Sequence, residues 1–311
     1  MNKRIEIDRE EFLVLPAEEI RRIVLERNKP VVGIFVADGN RRLVMCQTRL
    51  SPTSEEFYKE YARIFVDSLK ESLNIFFSHG LKTLFFPLFG PSLLLRKNKF
   101  QSITIPATYR KIFESDEWLK FYKENGIRVK AYGDLSQLEK IDVNRLNMGE
   151  GIMRAVEKTA SHDKHTLFFG FMSENTPGLE MPQLIIDFYK STNREPSPQE
   201  MIEIYYGEPV APADFFIMSG KLSDHGALPP LISTLKARMY YFLVPGFLGL
   251  NITNYRRILY DLIFGQPLHS PPEYNVQQLN GIETLDKFYR QYRDTIIGIG
   301  KQVGDFWVLN I

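Results

Sequence analysis

Short apolar runs alternate with amphipathic segments along this chain, and that alternation restricts its architecture more than any single motif does. The runs Val31 to Val36, Thr83 to Phe89, Ile127 to Tyr132, His165 to Phe171, Asp214 to Met218 and Met239 to Val244 are rich in Val, Ile, Phe and Tyr and read as strands. Between the first two, Phe57, Tyr61, Phe65, Leu69, Leu73, Phe76 and Phe77 recur on one helical face, and Gly80 stands where that helix should stop. This is a βαβ unit. Further helices are predicted over Ala17 to Glu26, Glu114 to Glu124, Met181 to Thr192, Gln199 to Tyr206 and Tyr255 to Phe264. Strands alternating with helices imply an α/β fold: a mostly parallel central sheet with helices on both faces. Residues 1–265 read as one domain. The Pro-rich stretch Gln266 to Pro272 sets off residues 266–311 as a C-terminal extension packed on the same domain, with Gly298, Ile299, Gly300, Val303, Phe306, Trp307 and Val308 reading as a small hairpin.

Ligands of open parallel sheets bind beyond the carboxyl ends of the strands. The residues there are Asp38-Gly39-Asn40, Gly90-Pro91-Ser92, Gly133-Asp134, Ser173-Glu174-Asn175, Ser219-Gly220-Lys221 and Pro245-Gly246, which are expected to converge on one crevice. The first of these groups is the most specific. Ala37-Asp38-Gly39-Asn40-Arg41-Arg42-Leu43 concentrates a carboxylate, a glycine and two guanidiniums where a strand ends, and that set suits a diphosphate. Arg41 and Arg42 can fork onto phosphate oxygens, Gly39 lets the backbone approach closely, and Asp38 is a hard oxygen ligand for Mg²⁺. The alternative is a surface turn with a solvated charge cluster. Lys221 either touches a phosphate as a point charge or is solvated.

Charge and cysteine content remove several function classes. With 39 Lys+Arg against 38 Asp+Glu the net charge is +1, so no overall field draws the chain to nucleic acid or to an anionic membrane. Any anion must be caught locally. Cys46 is the only cysteine, which excludes an intramolecular disulfide framework. The charged start, Met1 to Glu6, lacks the apolar core of a signal peptide, and no run approaches the roughly 20 apolar residues of a transmembrane segment. A cytoplasmic protein is expected. The five histidines show no metal-ligand spacing on one helix face, and His79 falls where a helix C-terminus favours a cation. Gly220-Lys221 lacks the upstream glycine of a P-loop, since Phe215 stands there, and no Gly-x-Ser-x-Gly elbow is present.

Asp38-Gly39-Asn40-Arg41-Arg42 after an apolar strand resembles the Asp-Gly-Asn-x-Arg signature of the cis-prenyltransferases, the undecaprenyl diphosphate synthase family. Gly133-Asp134-Leu135-Ser136 is similar to that family's Gly-Asp-x-Ser, and Ala213 to Ile217 corresponds to the strand leading to its isopentenyl diphosphate site. The chain then departs from the elongating members. Their Arg-Thr-Gly-Gly-Glu-x-Arg-x-Ser is replaced by Met218-Ser219-Gly220-Lys221-Leu222-Ser223, and their Phe-Ser-x-Glu-Asn-Trp by Leu88 to Leu93. A narrower resemblance, covering nearly the whole chain, is to a mycobacterial branch of that superfamily that consumes a diterpenyl diphosphate. It runs through Glu11 to Pro16, Phe121 to Glu124, Tyr205 to Glu208 and Arg256 to Asp261.

The resemblance implies that residues 1–265 are a cis-prenyltransferase-like catalytic domain acting on an allylic prenyl diphosphate with Mg²⁺ on Asp38. Gly39, Asn40, Arg41, Arg42 and Lys221 would bind diphosphate and Tyr61 would be a catalytic tyrosine, against a plain core role for that ring. It also implies a homodimer. A terpene synthase or prenyl-group transferase is the first reading. A chain-elongating enzyme, or a non-catalytic subunit or prenyl-lipid binding protein, is the alternative.

Overall fold

A computed structural model describes residues 7–27, 32–90, 96, 99–136, 138–139, 146–171, 176–220, 229–232, 237–265 and 282–309. Six parallel strands form the central sheet: β1 Val32–Phe35, β2 Thr83–Phe89, β3 Ile127–Gly133, β4 His165–Phe171, β5 Phe215–Ser219 and β6 Arg238–Phe242, in the order β3-β4-β2-β1-β5-β6. Helices follow in chain order as α1 Arg9–Val14, α2 Ala17–Glu26, α3 Asn40–Thr48, α4 Glu55–Ser78, α5 Ile105–Tyr109, α6 Asp116–Asn125, α7 Met148–Thr159, α8 Thr176–Thr192, α9 Pro198–Tyr206, α10 Gly246–Gly249, α11 Ile252–Phe264 and α12 Ile282–Tyr292. An antiparallel hairpin, β7 Gly300–Val303 with β8 Phe306–Leu309, closes the described chain.

Alternation along the strands builds two cores. Val32, Ile34, Phe85 and Phe168 point to one face, where Tyr132, Tyr206 and Met218 meet them. Phe35, Leu84, Phe86 and Phe169 point to the other, into a larger cluster with α4 and α11. Phe76 of α4 is fully buried there, edge-on to Phe35 at 5.5 Å and to Tyr255 of α11 at 4.8 Å. Ser54 caps α4, its hydroxyl accepting from the Phe57 amide, so the helix starts two residues ahead of the apolar stripe.

Several sequence expectations shift: the helix predicted from Met181 begins at Thr176 and the one predicted from Tyr255 begins at Ile252. The helix predicted from Glu114 begins at Asp116, because Ser115 is its cap. The strand predicted to run to Val244 stops at Phe242, where pairing with Ser219 ends. His79, expected to favour a cation, is buried and held neutral: its Nδ1 bonds the Ile75 carbonyl at 2.9 Å while Arg256 Nε donates to its Nε2 at 3.1 Å. Burial, with Arg256 beside it, pushes its pKa down. No helix among the described residues is long and apolar enough to cross a membrane.

Candidate functional site

Strand β1 lies between β2 and β5, the point at which the chain reverses its direction across the sheet. Its carboxyl end is where a doubly wound sheet opens a crevice. The backbone there is clamped. Ser219, fully buried at the end of β5, accepts from the Asp38 amide at 3.0 Å and donates to the Asp38 carbonyl at 3.1 Å, and the Gly246 amide donates to that carbonyl at 2.9 Å. Asp38 is thus fixed by β5 and α10 as well as by its own strand.

The residues after Asp38 are not a turn, as their composition suggests, but the first turn of α3. Gly39 is the N-cap with a left-handed φ of 83°, and the Asn40 side chain donates to the Ala37 carbonyl at 2.8 Å. The first amide to bond back within the helix is that of Leu43, onto the Gly39 carbonyl at 3.0 Å, so the amides before it lack an intrahelical acceptor. A helix start of this kind attracts anions. What Gly39 admits is its own chain: a Cβ there would stand 3.1 Å from the Pro245 Cα.

A cavity of about 650 Å³ opens over this end of the sheet, within the span of roughly 300–1,000 Å³ usual for small-molecule pockets. Asp38, Gly39, Asn40, Arg41, Arg42 and Tyr61, the site residues expected from sequence, all line it. Lys221 lies outside the described residues. The cavity has two characters. Its polar end carries Asp38 and the start of α3; its apolar walls are Phe65, Phe86, Leu88, Phe89, Phe100 and Ile105, with Arg96 over the Phe100 ring; and Asp305, Phe306 and Trp307 of the hairpin border it.

Arg96 was not singled out by the sequence. Its Nη1 is buried with no hydrogen-bond partner among the described residues, and its guanidinium carbon lies 5.2 Å from the Phe100 ring centre. A buried donor of that kind is costly unless an anion meets it. Tyr61 is buried, edge-on to Phe100 at 5.6 Å and stacked with Phe65 at 6.5 Å. Burial raises its phenol pKa above the ordinary value, and Arg96 beside it offsets only part of that rise. Tyr61 is therefore a protonated phenol at neutral pH, a donor and a ring face rather than a phenolate base.

Two oxygen groups bear on Mg²⁺. Asp38 offers a carboxylate, and Asn40 Oδ1 is buried without a partner among the described residues. Among those residues no group of three or more His, Cys, Asp and Glu is placed to hold a metal by protein ligands alone. This donor set fits Mg²⁺ that arrives with substrate phosphates and keeps part of its water shell.

The expected convergence of strand ends is only half realised. Asp38, Gly90, Ser219, Gly220 and Gly246 gather at the cavity or against Asp38. Gly133 and Asp134 sit at the β3–β4 side, the Asp134 amide bonded to the Phe171 carbonyl at 2.8 Å, and do not line the cavity. Residues 91–92 and 173–175 lie outside the described residues.

The fold and this strand-end cavity define a class: the chain has the cis-prenyltransferase fold. It superposes on lavandulyl diphosphate synthase from Lavandula x intermedia, solved with dimethylallyl diphosphate, with a TM-score of 0.62 at 12% identity, covering 80% of this chain and 98% of that one. A probable undecaprenyl diphosphate synthase from Campylobacter jejuni superposes with a TM-score of 0.54 at 16% identity, covering 77% and 98%. In sequence, the chain is 29% identical over 307 residues to tuberculosinyl adenosine transferase of Mycobacterium tuberculosis, spanning 97% of this chain and 98% of that protein. It is also 29% identical over 307 residues to (+)-kolavelool synthase of Herpetosiphon aurantiacus, spanning 96% and 93%. No family model matches the chain.

Proposed function

We propose that this chain is a terpene synthase or prenyl-group transferase that ionises an allylic prenyl diphosphate: farnesyl, geranylgeranyl or a cyclic diterpenyl diphosphate. The observation that carries the reading is the cavity with an anion-binding end and an aromatic body. The start of α3, Arg41, Arg42 and Arg96 suit the diphosphate, and the Phe-rich walls suit the hydrocarbon. The transferase and synthase named above, matched along almost their whole length, support the same class.

In the reaction the allylic C–O bond breaks heterolytically. Its electron pair leaves with the diphosphate oxygen and the carbon becomes a cation. Negative charge grows at the polar end of the cavity, where prepositioned guanidiniums and helix amides stabilise it without reorganising. The cation faces the rings of Tyr61, Phe65 and Phe100, whose negative faces favour it. Mg²⁺, held by Asp38 with Asn40 near it, would supply Lewis-acid stabilisation of the departing diphosphate. Loss of a proton, or capture of water or another nucleophile, then quenches the cation, and the Tyr61 hydroxyl orients the acceptor.

The test is diphosphate release by the purified protein from geranyl, farnesyl, geranylgeranyl and a cyclic diterpenyl diphosphate. Release from at least one is expected, and Asp38→Ala should lower it by about a hundredfold or more at saturating Mg²⁺. Full release by the variant, or none by the wild type with any substrate including a cyclic diterpenyl diphosphate, overturns the reading.

A further inference from the structure

The hairpin β7–β8 stands at the cavity although its residues lie far along the chain from the rest of the lining. Arg42 Nη1 donates to the main-chain carbonyl of Trp307 at 3.2 Å, so one of the two guanidiniums at the start of α3 is also tied to the hairpin. Among the described residues, little else holds this unit in place. Helix α12 buries no residue, and the hairpin is a two-stranded sheet, a form that is marginal by itself. Phe306 and Trp307 nonetheless both border the cavity, their side chains on opposite faces of the hairpin, while remaining 42% and 38% exposed. The Trp307 ring lies over Gly300 of the facing strand, diagonal to its register partner Gln302: a Cβ at Gly300 would fall inside the indole, 1.8 Å from its ring atoms. Only glycine allows the ring to lie there.

We propose that Phe306 and Trp307 are substrate-contacting residues that cover the hydrocarbon of the bound prenyl diphosphate. The bond from Arg42 to the Trp307 carbonyl keeps the hairpin in register with the diphosphate end. The inference rests on the prenyl diphosphate reading above. Half-exposed side chains bordering an apolar cavity gain burial when an isoprenoid chain enters. A diphosphate without a hydrocarbon has nothing to gain from them. The rings therefore act on affinity for the prenyl chain and leave phosphate recognition alone.

Tryptophan emission makes this testable, because the chain has only two tryptophans and the other, Trp118, is fully buried. Unreactive geranylgeranyl thiolodiphosphate should protect wild-type emission from acrylamide quenching. Calorimetry should show Trp307→Ala and Phe306→Ala each weakening that ligand by about tenfold or more, with inorganic pyrophosphate binding unchanged and Trp307→Phe restoring most of the loss. If the thiolodiphosphate binds the wild type yet neither quenching nor affinity depends on these rings, the hairpin proposal is wrong and the functional reading stands. If the wild type binds neither probe, both fall. Should a variant fail to fold, the wild-type quenching experiment decides by itself.

Discussion

Histidine 165 carries a stability cost that appears only in acid. Its ring is buried, stacked on Phe77 with centres 4.5 Å apart, and its Nδ1 bonds the Leu81 carbonyl at 2.8 Å. Burial pushes its pKa down from the ordinary 6.5 to about 4, with the neighbouring cations Arg21, Lys164 and Lys82 adding to that fall. Above pH 6.5 the ring is neutral in both folded and unfolded chains. Below it the unfolded chain takes up a proton that the folded chain refuses, so stability drops between pH 6.5 and about 4 and levels off beneath. The loss is on the order of 1–3 kcal/mol once partial solvent screening is allowed for. Thermal melts at pH 7 and pH 4.5 measure it, and His165→Gln should make the interval between the two melting temperatures smaller. An unchanged interval would place the acid sensitivity elsewhere. The same physics bears on Tyr61, whose raised pKa keeps its proton on the phenol across the working range.

At the scale of elements, the candidate site is held by neighbours that meet Asp38 from other strands. Gly220, beyond β5, has a φ of 86°, and a Cβ there would fall 2.4 Å from Asp38 Oδ2. Gly220→Ala should therefore combine a backbone strain of roughly 1–2 kcal/mol with displacement of the carboxylate, lowering diphosphate release at least about tenfold in a folded protein. Gly207 separates the two effects: its φ is 73° but nothing lies within 4 Å of its Cβ position. Gly207→Ala should lower the melting temperature to a similar extent with release retained, and equal activity losses in both variants would refute the Asp38 contact as the cause. These dependences explain what was legible beforehand. The strands announce themselves through dense apolar runs buried on both faces, and α4 through a long stripe of constant period. Asp38, Arg41 and Arg42 are adjacent in the chain, so their cluster is visible at once. The segment 100–114 is not, because single turns of π-helix at Phe100–Thr104 and Arg110–Glu114 flank α5 and break the helical period, although it supplies Phe100, Thr104, Ile105 and Thr108 to the cavity. Arg96 and Trp307 carry no local signal for the site; only tertiary folding brings Trp307 to the start of α3 and Arg96 over Phe100 at the cavity.

For the molecule as a whole, the decisive question is whether one diphosphate or two can be held at the end of the sheet. Elongation of a prenyl chain needs a second anion site for isopentenyl diphosphate, and in the elongating relatives that site follows the strand corresponding to β5. Here the first position of that motif is Met218, 1% exposed and packed with Val36, Phe216 and Ile232 in the core on the face opposite α4. Its side chain is committed to apolar contacts, and replacing it by arginine would bury a charge in that core at a cost of several kcal/mol. Ser219, the next residue, already spends its hydroxyl on the Asp38 backbone. Among the described residues the cavity's guanidiniums are Arg41 and Arg42, next to Asp38 in the chain, and Arg96, which lies over the Phe100 ring. This distribution fits one diphosphate with a hydrocarbon lying along Phe65, Phe86 and Phe100. Incubation with an allylic diphosphate should accordingly give products of the same carbon number with and without isopentenyl diphosphate, read by mass spectrometry of the extracted lipids. A ladder of products spaced by one five-carbon unit, appearing only with isopentenyl diphosphate, would show that a second anion site exists and that the chain elongates. The two outcomes differ by whole isoprene masses, so no kinetic interpretation stands between the measurement and the choice.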